Sequence, residues 1–371
     1  MQLERIKLHN FRNYETQEFV FGDGVNLICG RNAQGKTNLL EAVCAVSTMR
    51  LFRTGQKKDG LRFGCDDAEI EAAFRTQGRD FTMTLRLHRS KTMEILRNGV
   101  RVKRQSDAAG LLRTVLFSPD DLYLVREGAA ARRRFLDTAL CQLRPRYAAA
   151  LEEYNRLLEH KTRILRDSEE KPALLDLLDD FTRRMCSFGA LIVQRRAKFV
   201  RALAGEAKRI HGDIAGGGEN LSVSYHTVSG IQDPFAPIET LAEGLYAHAM
   251  AHRGAELAAR SCLSGPHKDD LVLEIDGQRA ASFGSQGQVR TCALALKLAE
   301  RELFFEDCGE YPILLLDDVL SELDTRRQDY VLGRIGGGQV LITCCEPALA
   351  KRIGSGTVFY LENGKRIENF S

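Results

Sequence analysis

Gly30-Arg31-Asn32-Ala33-Gln34-Gly35-Lys36-Thr37 reads G-x-x-x-x-G-K-T, and that spacing builds a phosphate cradle when a strand leads into it and a helix leaves it. Both flanks are present. Gly24-Val25-Asn26-Leu27-Ile28-Cys29 is a short apolar run suited to a buried strand, and Asn38-Leu39-Leu40-Glu41-Ala42-Val43 opens a helix. The glycines let the backbone wrap closely around phosphate oxygens, and the first amides of the helix point at the anion. Gly30, Arg31, Asn32, Ala33, Gln34, Gly35, Lys36, Thr37 and Asn38 are therefore expected to bind nucleotide. Lys36 would reach the β- and γ-phosphates, and Thr37 would hold Mg²⁺.

The complement of this loop lies near the other end of the chain. Tyr311-Pro312-Ile313-Leu314-Leu315-Leu316-Asp317-Asp318 is an apolar strand ending in two carboxylates, the Walker B arrangement. Asp317 is the expected second metal ligand. Asp318 is placed to polarise an attacking water, which makes Lys36 and Asp318 the expected catalytic pair. Ahead of it, Phe283-Gly284-Ser285-Gln286-Gly287-Gln288 leads into a helix expected over Thr291 to Phe304. A polar turn opening a helix can nest an anion, or can simply cap the helix through Ser285.

Met1 to Leu8 and Thr16 to Phe21 are expected strands. From Ala68 the period becomes two, through Ile70, Ala72, Phe74 and then Phe81, Met83, Leu85, Leu87. Asn98-Gly99 between strand-like flanks predicts a hairpin. Between Arg86 and Arg104 seven positive residues face one negative, Glu94, which is either a solvated sheet face or a surface for a phosphate backbone. Lys103 and Arg104 are its candidate DNA contacts, joined by the cluster Arg132-Arg133-Arg134. From Tyr147 to about His211 apolar residues recur at helical spacing: Tyr147, Leu151, Tyr154, Leu158, Leu165, then Leu178, Phe181, Met185, Phe188, Ile192, Phe199. Lys171-Pro172 divides them, so a pair of long helices is expected, with a further helix over Ile238 to Ala259.

Composition excludes several classes. A net charge of +3 is too small to imply nucleic acid by itself, and 28 % charged with 44 % apolar residues describes a soluble globular chain. The ten cysteines are scattered without a C-x-x-C pair, as in a reducing cytoplasm with buried thiols. Glu4, Arg5 and Lys7 interrupt the first apolar residues, so no signal peptide is expected, and no apolar run reaches the ~20 residues that cross a bilayer. His267 with Asp269 and Asp270 is the nearest thing to a separate metal cluster, and is read as structural or interfacial.

Ser285-Gln286-Gly287-Gln288 together with Ser321-Glu322-Leu323-Asp324 resembles the signature loop and D-loop of the ABC-type ATPases. Leu8 to Tyr14, Gly30 to Asn38, Phe117-Ser118-Pro119-Asp120-Asp121-Leu122, Arg132 to Asp137, Gly265-Pro266-His267-Lys268-Asp269-Asp270, Gly284 to Arg290 and Leu314 to Asp324 resemble the bacterial RecF family from end to end. The resemblance implies an α/β P-loop ATPase head of mixed and antiparallel sheets with an inserted α-helical arm. The expected divisions are an N-terminal lobe (1–125), the arm (126–260) and a C-terminal lobe (261–371).

It further implies ATP and Mg²⁺ as cofactors and a homodimer with two sandwiched ATPs. Ser285 to Gln288 of one copy, with Ser321 and Asp324 of its D-loop, would meet the nucleotide of the other. Function by resemblance is that of a cytoplasmic, weakly DNA-stimulated ATPase of recombinational repair and replication, binding gapped, single-stranded or double-stranded DNA. With RecR and RecO it would load RecA and support SOS induction. An energising subunit of a transporter and a chromosome-organising head are the alternatives; the basic hairpin and the absence of sustained heptads argue against them. The chain departs from the broader ABC pattern in three places. The Phe117 to Leu122 string has no Q-loop glutamine, leaving Ser118 or Asp120 as sensor candidates. Cys344-Cys345 stands where a switch histidine is usual. Asp318 replaces a longer glutamate.

Overall fold

Ile313–Leu316 carries four large aliphatic residues in a row, so a strand made from it must be covered on both faces. In the structure, a computed structural model describing residues 1–54, 56–345 and 356–367, it lies inside a six-stranded sheet. The order is Lys365–Ile367, Thr357–Glu362, Val25–Cys29, Val340–Cys344, Ile313–Leu316, Thr114–Phe117. All neighbours are parallel except the hairpin at the first edge. The strand before the phosphate loop and the strand before Asp317 are thus separated by Val340–Cys344 alone. The side chain of Leu122 and residues 346–355 and 368–371 of the expected C-terminal lobe fall outside the described residues.

Alternation along these strands divides the interior into two cores. Ile28, Ile313, Leu315, Leu341 and Phe359 pack with the helix Lys36–Thr48 under a second, antiparallel sheet. Leu27, Cys29, Leu314, Leu316, Val340 and Ile342 pack against helices on the opposite side. The antiparallel sheet runs Tyr14–Val20, Gln2–Phe11, Asp67–Thr76, Arg79–His88, Glu94–Arg97, Val100–Arg101. Its last hairpin turns at Asn98 (φ 50°) and Gly99 (φ 77°), the positive pair that a two-residue turn of this hand demands. The buried Gln339 amide ties the two sheets together, accepting from Leu3 N at 2.7 Å and donating to the carbonyls of Leu3 and Gly22, both at 2.8 Å.

The helical insert begins with Ala129–Leu143 and Pro145–Asp167, whose proline sits in the first turn where no amide is missed. After a 3₁₀ segment Pro172–Leu177 comes the 38-residue helix Leu178–Ala215, closed by Gly216 at φ 77°. Its base is continuous with the six-stranded sheet: Tyr147, Tyr154, Met185, Ile192, Phe199 and Leu203 belong to the same core as Leu314 and Leu316. Another face of the same helical stretch packs on a small separate cluster of Cys186, Ala190, Val193, Leu241 and Leu245. The helix expected over Ile238 to Ala259 is broken into Ile238–Ala251 and Arg253–Ala259. There the His252 ring bonds the His248 carbonyl at 2.8 Å, competing with the helical ladder for that acceptor. A three-stranded antiparallel sheet, Gln278–Arg279, Asp270–Ile275, Leu221–His226, leads to the helix Gln286–Cys308.

Candidate nucleotide site

The phosphate loop is braced from two sides before it meets any ligand. Tyr14 OH donates to the Gly35 carbonyl at 2.9 Å, and Asn13 Nδ2 donates to that of Gln34 at 3.3 Å. From the other side Gly364 N donates to Gln34 O at 3.1 Å, and Asn363 N bonds the Gln34 side chain. Asn38 Nδ2 donates to Asn13 Oδ1 at 2.8 Å, and Arg12 grips the fully buried Glu41 through two bonds of 2.7 and 2.9 Å. This scaffold holds Ala33 at φ 64° and Gly35 at φ 108°. A side chain at Gly35 would meet Asn13 at 2.7 Å, so only glycine fits. Gly30 is fixed likewise, since a Cβ there would lie 2.7 Å from the Leu361 carbonyl. Arg31, Asn32 and Ala33 form an exposed crest.

Lys36 is 4 % exposed and curls back over the loop, donating to the carbonyls of Gly30 (2.8 Å) and Arg31 (3.1 Å), with Asp318 Oδ2 at 3.9 Å. Thr37 Oγ1 donates to Asp317 Oδ1 at 2.9 Å. The two expected metal ligands are therefore side by side. Burial pushes the Asp317 carboxyl above the ordinary aspartate range, and the neighbouring Asp318 charge adds to this. Thr343, unnoticed in the sequence, donates to Asp317 Oδ1 at 2.9 Å and accepts from Asp318 N at 2.8 Å, fixing the Asp317 carboxylate and the Asp318 backbone from the adjacent strand. Asp318 itself has φ 50°, which turns the chain out of the sheet just past the strand Ile313–Leu316. A hydroxyl and a carboxylate oxygen suit Mg²⁺, which keeps waters and substrate phosphates as its other ligands. No cluster of three or more metal-binding side chains occurs among the described residues, and none is needed for this ion.

At the switch position Cys345 is exposed. Its thiol donates to Asn32 Oδ1 at 2.9 Å, and its Sγ lies 3.3 Å from Lys36 Nζ and 3.8 Å from Asp318 Oδ1. The preceding Cys344 faces Cys29 across the parallel strands, Sγ to Sγ 3.1 Å. All ten cysteines are free thiols. Of the two sensor candidates, Ser118 is buried with its amide and hydroxyl both given to Asp121 (2.7 and 3.0 Å), while Asp120 is exposed.

The signature turn is a capped helix start and more. Ser285 Oγ accepts from Gln288 N at 3.2 Å, and the Gln288 side chain accepts from Ser285 N at 2.9 Å, so the helix begins at Gln286 rather than at Thr291. Ser285 and Gln286 are exposed. Among the described residues no hydrogen bond or ion pair joins Ser285–Gln288 to Gly30–Asn38 of the same chain. Gln288 Nε2 donates to Glu219 at 3.1 Å, whose other oxygen lies 3.0 Å from the buried His211 ring on the long helix. In the D-loop Ser321 Oγ donates to Asp318 O at 2.6 Å, and Asp324 caps the helix Thr325–Arg334 through Arg327 N at 3.0 Å.

The basic residues divide sharply. Arg132 is 9 % exposed and bidentate to Asp270 (2.7 and 3.0 Å), so its guanidinium faces the interior and not a phosphate surface. Arg133 donates to the Asp269 carbonyl at 2.6 Å. Only Arg134 of that run is exposed, 3.7 Å from Glu127. On the hairpin sheet Arg86, Arg89 and Arg101 pair with Glu69, Asp66 and Glu94. Lys103 and Arg104 are exposed without an ion pair among the described residues. His267 accepts from Tyr154 OH at 2.7 Å and donates to the Cys262 carbonyl at 3.1 Å. Burial lowers it to about 4, so it is a neutral structural link.

The family model described as RecF/RecN/SMC N terminal domain matches residues 2–364. The DNA replication and repair protein RecF of Agathobacter rectalis is 36 % identical over 367 residues, covering 98 % of each chain. That of Listeria monocytogenes is 38 % identical over 375 residues, covering 98 % of this chain and 99 % of its own. Among solved structures, the recombination mediator protein RecF with ATP in the RecFOR pathway superposes with a TM-score of 0.91 at 31 % identity, covering 100 % of this chain and 98 % of that one. The Smc head domain of Pyrococcus furiosus shares the fold, with a TM-score of 0.56 at 17 % identity over 99 % and 95 % of the two chains. No helix among the described residues is long and apolar enough to cross a membrane.

Proposed function

This chain belongs to the RecF family of SMC-like ABC-type ATPases, and on that premise we propose that it is an ATP-operated DNA clamp of recombinational repair and replication. Two copies close around two ATPs, hold gapped, single-stranded or double-stranded DNA, and reopen after slow, DNA-stimulated hydrolysis. With RecR and RecO it helps load RecA at gaps and so supports SOS induction in the cytoplasm.

The observation that carries the reading is the division of the site. Lys36, Thr37, Asp317 and Asp318 converge within one chain, while the signature turn is exposed and bonded to none of the loop residues of its own chain. A second copy supplies what one copy lacks. Lys36 exchanges the loop carbonyls for phosphate oxygens, the crest amides take the anion, and Thr37 with Asp317 would hold Mg²⁺. That ion would neutralise charge on the β- and γ-phosphates. Asp318 would orient the attacking water. Ser285 and the first free amides of its helix meet the γ-phosphate in trans. Because that phosphate is shared, ATP favours the closed dimer and ADP does not. Closure would bring the exposed Lys103 and Arg104 of the two copies to one DNA, and phosphate contacts then add.

The test is binding to a gapped duplex with ATP, with ADP and without nucleotide, following mass and DNA affinity together. ATP alone should yield a dimer with tighter, salt-sensitive DNA binding, lost in Lys36→Arg and in Ser285→Arg. A wild-type chain that stays monomeric and indifferent to DNA would overturn the reading.

A further inference from the structure

The D-loop and the signature turn lie on separate elements, the segment Val319–Glu322 with the helix Thr325–Arg334, and the helix Gln286–Cys308. Two side chains tie them directly: Arg290 Nη2 of the signature helix pairs with Glu322 Oε2 at 3.1 Å between partly exposed groups, and Arg327 makes the denser, half-buried set of bonds. Arg327 Nη2 donates to the Gly287 carbonyl at 3.1 Å, and its Nη2 and Nε reach Thr291 Oγ1 at 2.8 and 3.0 Å. Its remaining edge pairs with the Asp324 carboxylate. Thr291 Oγ1 in turn donates to Gly287 O at 2.9 Å. Arg327 is half-buried, and its planar fork reaches three different acceptors from three separate nitrogens, where a lysine offers a single one.

We infer that Arg327 is a positioning residue for the trans half of the ATP site, holding the signature turn at the angle that the D-loop dictates; this rests on the dimer reading above. Asp318, with its left-handed backbone, starts the D-loop segment and receives Ser321 on its carbonyl. A shift of Asp318 in one nucleotide site therefore travels through Val319–Glu322 to Asp324, through Arg327 to Gly287, and so to the neighbour's γ-phosphate. Holding the Gly287 carbonyl inward leaves the amide side of the turn facing out toward that phosphate. Arg327 touches no reacting atom. Its contribution lies in how readily two copies close.

The experiment compares wild type, Arg327→Ala, the milder Arg327→Gln, Thr291→Val and the double variant Arg327→Gln/Thr291→Val, with Arg334→Ala on the same helix as control. Nucleotide affinity of the monomer, the ATP-dependent dimer dissociation constant, Tm, and ATPase rate against protein concentration are measured. Losing a guanidinium held by three acceptors should weaken dimerisation roughly tenfold or more, with monomer nucleotide affinity unchanged and the lost ATPase recovered at high protein concentration. Thr291→Val should be non-additive with Arg327→Gln. Arg327 variants that dimerise as wild type does, or that lose nucleotide affinity and dimerisation together, overturn the inference. Additivity with Thr291→Val also overturns it. A wild type that never dimerises would instead sink the dimer reading and this inference with it.

Discussion

Thr37 and Asp317 are 280 positions apart in the chain and joined by a 2.9 Å hydrogen bond. One comes from the start of the phosphate-loop helix, the other from a strand end two strands across the sheet. Asp317→Asn keeps the shape and loses the charge. We expect its Mg²⁺-dependent gain in ATP affinity to vanish while metal-free nucleotide binding stays near wild type, as calorimetry with and without Mg²⁺ would read. An unchanged Mg²⁺ dependence would remove Asp317 from the metal site.

The same carboxylate sets a pH dependence. Burial raises its pKa, so on acidification it takes a proton earlier than an ordinary aspartate and ceases to be a ligand. Mg²⁺-dependent ATP binding should therefore fall in a window lying above the usual aspartate range. Stability moves the other way. A folded-state pKa above the unfolded one contributes stability that is present at low pH and lost as pH rises through it. Denaturation of wild type and Asp317→Asn should differ most at neutral pH and converge on acidification.

Gly35 has no room to change. At φ 108°, a methyl group placed on its Cα would sit 2.7 Å from Asn13 and 3.0 Å from Tyr14 OH, so alanine must distort the loop at a cost of about 1–3 kcal/mol. Gly35→Ala should lose ATP binding and lower the denaturation midpoint together. Gly128→Ala, where nothing lies within 4 Å, is the control.

Arginines alike in sequence should behave differently. Arg132→Ala leaves Asp270 without its bidentate partner and should destabilise the fold by about 1.5–3 kcal/mol, in chemical denaturation. Lys103→Ala and Arg104→Ala should leave stability alone. If they meet phosphates, each lowers the slope of log affinity against log salt by about 1. Equal effects of all three on stability would overturn this division.

Cys345 invites a chemical test. With its sulfur 3.3 Å from Lys36 Nζ, an alkyl group on it occupies the space a γ-phosphate needs. A maleimide should abolish nucleotide binding, ATP should protect, and Cys345→Ser should be immune. Labelled protein that still binds ATP would count against it.

The phosphate loop, the two-aspartate strand, the Asn98-Gly99 hairpin and the long arm helices are legible in the sequence because each is specified locally, by glycine geometry, by an apolar run or by period. The fate of Arg132 is not. A basic triplet looks the same whether it faces water or a carboxylate 138 positions away, and only tertiary placement decides. Thr343 and Arg327 are invisible for the same reason, since their roles are contacts across elements. Their weak signals are position alone: Thr343 is the penultimate residue of a strand neighbouring Asp317, and Arg327 stands three residues after a helix cap. The break at His252 within Ile238 to Ala259 escapes sequence reading, because periodicity does not register a ring that competes for a backbone carbonyl.

Ile313 and Leu315 face one core, Leu314 and Leu316 the other. Slipping this strand by one residue would exchange the two sets and rotate Asp317 away from Thr37. A one-residue deletion within Ile313–Leu316 is thus a frame error written into space, scrambling two interiors and the metal site in a single step. The accuracy of the chemistry is guarded by packing that touches no nucleotide.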